Sequence, residues 1–333
     1  MSNQLSRYGA IAKALPFTPG RIFFVFGSET GAGAQEFIND FPVDEQGVPR
    51  VFAGSGALAT AYSFTTADRD DVIVLMGSAT HTLTSMLSVT KSRVHIVGSD
   101  YLLGIHRDKG QTSKVSLGVT TNTSDIGTIS ITGVRCSLRG VKIINDNTLT
   151  EALYALVDGG EYTYIEDVEV YKSTKFDVTG AAELVANGDS SIYKNMYIGT
   201  TVTAVSGAII RPCVTFSRQL AGSGKVARDV LFDNVTFARK CGNTANRFVY
   251  GAEATAVERL AKFNDCTFWN TALATAVPAQ NVAFGATQTD GSVLLNNCVA
   301  IGAGTAMSTT TGVFVYGAVP AAGTSGKALQ ATT

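Results

Sequence analysis

The chain has little charge for its length of 333 residues. Only 16% of its residues are Asp, Glu, Lys or Arg, and 26 basic residues nearly balance 27 acidic ones. An average soluble domain carries about 25% charged residues. The balance argues against a nucleic-acid binder that depends on a basic surface, and against a disordered acidic chain. We therefore expect no nucleic acid among its partners.

Long apolar runs are also missing. No stretch reaches the ~18 residues of a transmembrane helix, and residues 1–17 hold only short apolar stretches interrupted by Arg7, Lys13 and Pro16. We therefore expect no membrane span and no signal peptide, and synthesis in the cytoplasm. Five widely spaced cysteines include no C-x-x-C pair, which predicts mostly buried free thiols in place of disulfides or a structural zinc site.

Glycine, in contrast, is abundant at 34 residues, and threonine, serine, alanine and valine are plentiful. This composition favours many short strands and tight turns over long surface helices. Residues 1–55 differ from the rest, because they separate basic from acidic stretches and contain four of the seven prolines. We predict an extended arm there with one strand at Ile22–Phe26, then a short helix at 57–66 and a strand at Asp71–Met76.

An internal repeat carries most of the information. A six-residue pattern, apolar-x-[Gly/Asn/Asp]-apolar-x-apolar, occurs at 138–143, 165–170, 193–198, 232–237, 263–268 and 295–300. Its third positions are Gly140, Asp167, Asn195, Asn234, Asp265 and Asn297, spaced by 27, 28, 39, 31 and 32 residues. Gly, Asn and Asp adopt a positive φ most readily, so they suit a one-residue corner between two short strands. The flanking apolar residues then face one interior.

One coil of about 27 residues cannot bury its apolar side alone, so the coils must stack. The sequence here resembles the right-handed parallel β-helix proteins of the pectin-lyase-like superfamily. Residues 71–77 and 87–98 look like the first two coils of that family, after a capping helix. The resemblance covers residues 56–318 and implies an all-β solenoid of nine to ten coils, preceded by the arm (1–55) and followed by a tail (319–333). It implies no particular activity, because the fold serves enzymes, adhesins and virus structural proteins.

Family members that cleave polysaccharides use clustered acids on an outer sheet face, and a glycosidase needs two carboxyl groups about 5–9.5 Å apart. Two outward columns follow from the repeat. The second positions are Arg139, Glu166, Lys194, Asp233, Asn264 and Asn296, and the fifth positions are Lys142, Glu169, Tyr197, Thr236, Thr267 and Val299. Neither column places two acids on neighbouring coils. We therefore predict no catalytic residue, and no enzyme.

No cofactor or metal site is predicted either. Gly54, Gly56 and Ala59 fit G-x-G-x-x-A, but a glycine turn before the capping helix explains them better. The three histidines, His81, His95 and His106, lack metal-ligand spacing, and His95 is expected to point outward. Alternation along the strands places Tyr171, Tyr197 and Trp269 on the outer surface, where they can contact a glycan, another chain or covering loops.

A β-helix without a secretion signal and with cytosolic cysteine usage suits a tailed-phage virion protein, made in the host cytoplasm and released by lysis. We predict a non-enzymatic virion structural protein, namely a capsid decoration or cement protein. Resemblance to phage β-helical proteins implies a homotrimer. The arm then contacts the major capsid protein or other virion proteins, and its candidate contacts are Arg7, Lys13, Arg21, Phe23 and Phe24.

The alternative is a tail-spike or adhesin-type protein that binds or cleaves host surface polysaccharide, with a host glycan as partner. Cleavage needs a carboxylate pair from inserted segments such as 146–151, 161–166 or 177–183.

Overall fold

A computed structural model describes residues 20–27, 32–40, 43–77, 80–102, 113–118, 123–124, 126–149, 151–173, 178, 180–205, 210–217, 226–251, 253–272, 278, 280–285, 289–302 and 307–316. The predicted contacts Arg7 and Lys13, the residue His106 and the tail 319–333 lie outside these ranges. Three helices are present in the described part, α1 (Ala32–Asp40), α2 (Ala57–Phe64) and α3 (Ser99–Leu102). None of them is long and apolar enough to cross a membrane.

The strands are short and follow one another closely along the chain. They are β1 (Ile22–Phe26), β2 (Val51–Ala53), β3 (Asp71–Met76), β4 (Thr80–Leu83), β5 (Leu87–Val89), β6 (Val94–Gly98), β7 (Lys114–Leu117), β8 (Ile129–Ile131), β9 (Ser137–Arg139), β10 (Lys142–Asn145), β11 (Leu156–Asp158), β12 (Tyr164–Glu166), β13 (Glu169–Lys172), β14 (Leu184–Ala186), β15 (Ile192–Lys194), β16 (Tyr197–Val205), β17 (Val214–Phe216), β18 (Val230–Asp233), β19 (Thr236–Cys241), β20 (Val249–Gly251), β21 (Leu260–Asn264), β22 (Thr267–Asn270), β23 (Val282–Phe284), β24 (Ser292–Asn296), β25 (Val299–Ile301) and β26 (Val313–Tyr316).

From β3 to β25, every third strand joins the same sheet, β26 then pairs with β24, and all neighbours in the sheets are parallel. The eleven-stranded sheet has the order β2-β1-β3-β6-β9-β12-β15-β18-β21-β24-β26. The eight-stranded sheet runs from β4 to β25 and the seven-stranded sheet from β5 to β23. The predicted fold class, a right-handed parallel β-helix, is therefore confirmed.

The corners have the geometry that the repeat predicts. Backbone φ is +61° at Gly140 and lies between +51° and +54° at the other five corner positions. A left-handed conformation disfavours residues with bulky side chains, which is why Gly, Asn and Asp recur there. A second corner, between the seven-stranded and eleven-stranded sheets, also has positive φ, but it uses Arg135, Tyr162, Ser190 and Asp229. Because this second set mixes residue types, no motif in the sequence points to it.

The interior is closely packed and becomes aromatic toward the C-terminal coils. The rings of Phe232 and Phe263 stack at 4.6 Å between centroids with an interplanar angle of 2°, and Tyr193 stacks on Phe232 at 4.5 Å. On the eight-stranded sheet, Phe237 and Phe268 stack at 5.0 Å. Identical registers on successive coils produce these stacks, since each aromatic residue occupies the same column as its neighbour. As expected, the five cysteines are free thiols and four of them are buried.

The described part of the predicted arm belongs to the solenoid. The strand predicted at Ile22–Phe26 is present as β1, but it lies between β2 and β3 inside the eleven-stranded sheet. Phe23 and Phe24 are buried, with 0% and 1% of their surface exposed. The expectation that these two side chains contact a capsid is therefore wrong for this fold, because a buried ring cannot reach a second protein. The predicted capping helix is present as α2, after Gly54 and Gly56, which both have positive φ.

Candidate functional site

Polar side chains form a continuous column on the outer face of the eleven-stranded sheet. We call this column the polar ladder, and its members are Arg139, Glu166, Lys194, Asp233, Asn264 and Asn296. Each member pairs in register with the next, so side chains of one face succeed one another at about 4.8 Å. The six coils span about 24 Å along the solenoid axis at this spacing. The outward column derived from the repeat is thus present as predicted.

Glu166 is the centre of the charged half of the ladder. Its carboxylate accepts a hydrogen bond of 2.8 Å from the Tyr101 hydroxyl, which α3 holds against the sheet. Lys194 Nζ lies 3.8 Å from Glu166 Oε1 and Arg139 lies 4.0 Å from Oε2. Burial, together with the Glu166 carboxylate, raises the pKa of Tyr101 to about 12. The tyrosine hydroxyl therefore remains a hydrogen-bond donor at neutral pH.

The C-terminal end of the ladder, Asn264 and Asn296, is uncharged and adjoins exposed aromatic rings. Asn296 Nδ2 donates a 3.1 Å hydrogen bond to Asn264 Oδ1, so the two amides are aligned along the ladder. Tyr316 continues this column on β26 and exposes 72% of its surface, and Phe314 on the adjacent column exposes 58%. Planar amides beside exposed rings offer hydrogen bonds and an apolar stacking surface together.

A second polar group lies on the same face, on the N-terminal coils. His95 on β6 points outward, as expected, and its Nδ1 lies 2.8 Å from Ser137 Oγ on β9. The other ring nitrogen, Nε2, lies 3.2 Å from Asp70 Oδ1, just before β3. Asp70 in turn accepts two hydrogen bonds from the Arg93 guanidinium. Asp70, His95 and Ser137 thus form a hydrogen-bonded chain across three successive coils.

The charges of this group are set by its surroundings. The hydrogen bond from Arg93 lowers the pKa of Asp70, followed by the contribution of His95, so Asp70 is ionised at neutral pH. Burial lowers the pKa of His95, against the opposing effect of Asp70. His95 is therefore neutral at pH 7. Because an ionised carboxylate only accepts hydrogen bonds, His95 carries its proton on Nε2, and Ser137 donates to Nδ1.

The aromatic residues expected on the outer surface lie on the eight-stranded sheet. Trp269 exposes 38% of its surface, whereas Tyr171 and Tyr197 are half-buried. Lys142 Nζ lies 5.1 Å from the centre of the Tyr171 ring and 2.9 Å from Glu169 Oε1. This face therefore carries aromatic and charged groups, but in the register Tyr171 and Trp269 are separated by two intervening coils.

The carboxylate pairs expected from inserted segments do not all reach the surface. Glu183 is fully buried, and its carboxylate receives hydrogen bonds from Arg211 and Arg239, with an Arg239 nitrogen 2.6 Å from Oε2. It belongs to the interior and cannot pair with a surface acid. Asp146 accepts a 2.8 Å hydrogen bond from Ser116, and Glu151, at the other end of the segment 146–151, is exposed.

Two further features bear on binding. Within the described ranges, no group of three or more His, Cys, Asp or Glu side chains has the arrangement of a metal site. A cavity of about 530 Å³ opens at the N-terminal end, lined by Arg21, Arg50, Arg69 and acidic neighbours. Arg21 Nε lies 2.8 Å from Asp44 Oδ2 in this region. The charge of Arg21, predicted to contact a capsid, is therefore already paired within the chain.

Sequence reasoning found the polar ladder but missed the chain of Asp70, His95 and Ser137. These residues lie 25 and 42 positions apart, and Ser137 precedes the six-residue window. In the structure, His95 pairs in register with Ser137, the residue before the window, and no motif in the sequence marks that position.

Comparisons with known proteins bear on fold and activity. No protein-family profile matches the sequence, and no curated protein does. Among solved structures, a pectin methylesterase variant in complex with a hexasaccharide matches with a TM-score of 0.52 at 13% identity, covering 86% of this chain and 80% of that one. A pectin methylesterase from Aspergillus niger matches with a TM-score of 0.54 at 10% identity, covering 95% and 91%. At such low identity, the likeness itself establishes the fold.

These neighbours overturn one prediction. The chain was expected to be non-enzymatic, whereas these two structures, which match it over most of their length, are pectin methylesterases. The prediction failed because it considered only acidic residues stacked on neighbouring coils. The described surface also carries other polar groups, which a search for carboxylate pairs does not detect. The expected homotrimer, virion location and capsid partner remain predictions.

Proposed function

We propose that the chain is a polysaccharide-active protein that binds an extended glycan along the polar ladder. The single observation that carries this proposal is the ladder itself: six polar side chains in register over about 24 Å, ending at the exposed ring of Tyr316. A row of this length suits a polymer of repeating sugar units better than a small molecule, because each coil presents another hydrogen-bonding group to the next unit.

The chemistry of the ladder fits a sugar chain. Hydroxyl groups both donate and accept hydrogen bonds, and the ladder offers carboxylate acceptors, cationic donors and amides that do both. Aromatic rings such as Tyr316 and Phe314 provide an apolar surface with a polar edge for the faces of sugar rings. The solved neighbours add support, since one of them holds a hexasaccharide and both are named as enzymes acting on pectin.

This proposal takes up the alternative reading of the sequence, a protein that binds or cleaves surface polysaccharide, in place of the capsid decoration role. The capsid role depended on a projecting arm, and two strands of that arm, β1 and β2, lie in the eleven-stranded sheet. The polar ladder needs no such arm.

Binding to immobilised pectin and to purified bacterial lipopolysaccharide and capsular polysaccharide tests the proposal. Lys194→Ala and Tyr316→Ala are each expected to weaken binding about tenfold, which corresponds to the loss of one charge-assisted hydrogen bond or one stacked ring. Lys240→Ala, which removes an exposed cation from the eight-stranded sheet, is the matched control and leaves binding unchanged. Failure to bind any of these polymers, or binding by both ladder variants as tight as that of the unaltered chain, would contradict the proposal.

A further inference from the structure

We propose that Asp70, His95 and Ser137 form a hydrolytic site for short ester groups carried by a polysaccharide. The substrate class rests on the proposed function, whereas the chemistry rests on the geometry of the three residues alone. Ser137 Oγ and His95 Nδ1 are 2.8 Å apart, and His95 Nε2 and Asp70 Oδ1 are 3.2 Å apart. A nucleophile, a base and a carboxylate that orients the base are thus joined in sequence.

The protonation states suit the first step of ester hydrolysis. Ser137 Oγ forms a bond to the acyl carbon while its proton passes to neutral His95 at Nδ1. The carbon–oxygen bond to the leaving alcohol then breaks, and that oxygen takes the proton from His95. Water attacks the acyl-serine in the second half, gives its proton to His95, and releases the carboxylic acid and the free serine hydroxyl. Asp70 is a positioning residue that holds the Nε2–H form and stabilises the charged imidazole.

A cation is placed to stabilise the negative oxygen of the intermediate. Tyr164 on β12 pairs in register with Ser137, and the Arg139 guanidinium lies 4.6 Å from the centre of the Tyr164 ring. Arg139 follows Ser137 by two residues on the same side of β9, and its guanidinium extends over Tyr164, which lies in the serine column one coil further on. Its Nε is buried and has no hydrogen-bond partner among the described residues. A donor in this state is available to a developing oxyanion.

The exposure of the site limits the size of the substrate. Ser137 exposes 5% of its surface and His95 7%, while Arg93 at the rim exposes 40% of its side chain. Such an opening suits a small substituent, an acetyl or methyl ester, that projects from a sugar, and not the sugar backbone. The polar ladder begins at Arg139, beside the site, so a glycan on the ladder would carry its substituents past Ser137.

Covalent labelling of the full chain tests the nucleophile directly. A fluorophosphonate probe is expected to modify Ser137, identified by peptide mass spectrometry, and not the exposed Ser88 on β5. Because the test uses the unaltered chain, misfolding of a variant does not affect it. A folded chain that carries no label on Ser137 would overturn the proposal.

Hydrolysis of p-nitrophenyl acetate supplies the second measurement. Ser137→Ala and His95→Gln are expected to reduce the rate at least about 100-fold, whereas the control Ser88→Ala leaves it unchanged. The butyrate and octanoate esters should react progressively more slowly, because the opening is small. Rates that survive in a folded Ser137→Ala chain would refute the assignment.

The pH profile separates a base from a merely structural histidine. Asp70, Arg93 and Arg139 are the charged groups that face His95. Because burial lowers the pKa of His95, the hydrolysis rate should be constant from pH 8 down to about 6.5 and fall only at lower pH.

Loss of polysaccharide binding with labelling intact would remove the proposed glycan function but leave the hydrolytic site. Binding without labelling would do the reverse.

Discussion

The interior of the solenoid and the outer face of its eleven-stranded sheet use the same ionisable residues in opposite ways. Inside, Glu183, Arg211 and Arg239 are almost completely removed from water and paired with one another. Outside, Glu166 lies 3.8–4.0 Å from Lys194 and Arg139, with part of each side chain exposed. Each charge of the inner cluster stays ionised in the interior because its partners compensate it. In the outer cluster, a charged side chain can exchange its partner for a ligand.

The two environments also divide the histidines. His81 points inward on β4, with 2% of its surface exposed and no hydrogen-bond partner for either ring nitrogen among the described residues. His95 points outward and has a hydroxyl and a carboxylate as partners. Burial alone lowers the pKa of His81 to about 4. For these two histidines, the side of the strand on which the imidazole lies determines its hydrogen-bond partners, and the residue type alone does not.

The largest expected effect comes from breaking the inner cluster. Glu183→Ala leaves two buried guanidinium groups without their carboxylate, and an uncompensated buried charge costs about 3–5 kcal/mol. The free energy of unfolding, measured by urea denaturation, should fall by that amount. Glu166→Ala is the matched control, because it removes a partly exposed carboxylate with two cationic neighbours. Equal losses in the two variants would abolish the distinction between the inner and outer clusters.

The second effect is a dependence of stability on pH. Between pH 6.5 and 4, His81 binds a proton in the unfolded chain but not in the folded one. The unfolded state is therefore stabilised relative to the folded state as pH falls. Its contribution to stability is complete above pH 6.5 and declines toward pH 4 by about 3 kcal/mol, given a pKa shift from 6.5 to about 4.

Urea denaturation at pH 7, 5.5 and 4 measures this dependence, and the difference between the unaltered chain and His81→Leu isolates the histidine. The variant should lose less stability on acidification. His95→Gln serves as the outward counterpart, and because the lowered pKa of His95 has the same sign, it should change the slope in the same direction but less. A slope unaltered by His81→Leu would show that the inner histidine is hydrated.

The smallest effect on stability is expected on the outer face. Glu166→Gln retains the hydrogen-bond geometry toward Tyr101 but removes the charge that faces Lys194, and partly exposed ion pairs contribute about 0–1 kcal/mol. The melting temperature should therefore hardly change, while affinity for the bound polysaccharide, measured by isothermal calorimetry, should change. A large loss of stability with unaltered binding would assign Glu166 to the scaffold.

Much of the architecture could be predicted because its causes are local. A positive φ at a corner selects Gly, Asn or Asp wherever it occurs, so Asn234 and Asp265 marked their coils without further information. Alternation along a strand then assigned Phe232 to the inside and Asp233 to the outside, as the structure shows. The corner formed by Arg135 and Tyr162 was missed, since neither residue type signals a left-handed conformation.

The candidate site could be predicted only in part. The polar ladder follows from the repeat, because its residues occupy equivalent positions in successive coils. The segment 177–183 was considered as a source of a surface carboxylate pair, because nothing near Glu183 in the chain reveals Arg239, which lies 56 residues away. Phe23 was assigned to a projecting arm for a similar reason: its partner strand β3 begins almost fifty residues later.

The sequence by itself determined the coil spacing, the conformation of the corners in the six-residue repeat and the inward or outward direction of the residues that flank them, because these depend on neighbours within a few positions. Only the tertiary structure decided that Ser137 lies beside His95, that Asp70 faces the same imidazole, and that Glu183 is enclosed by two arginines. The physical reason is the closure of the coil. Three strands and their inserted segments must complete one circuit before residues tens of positions apart become neighbours at one strand spacing.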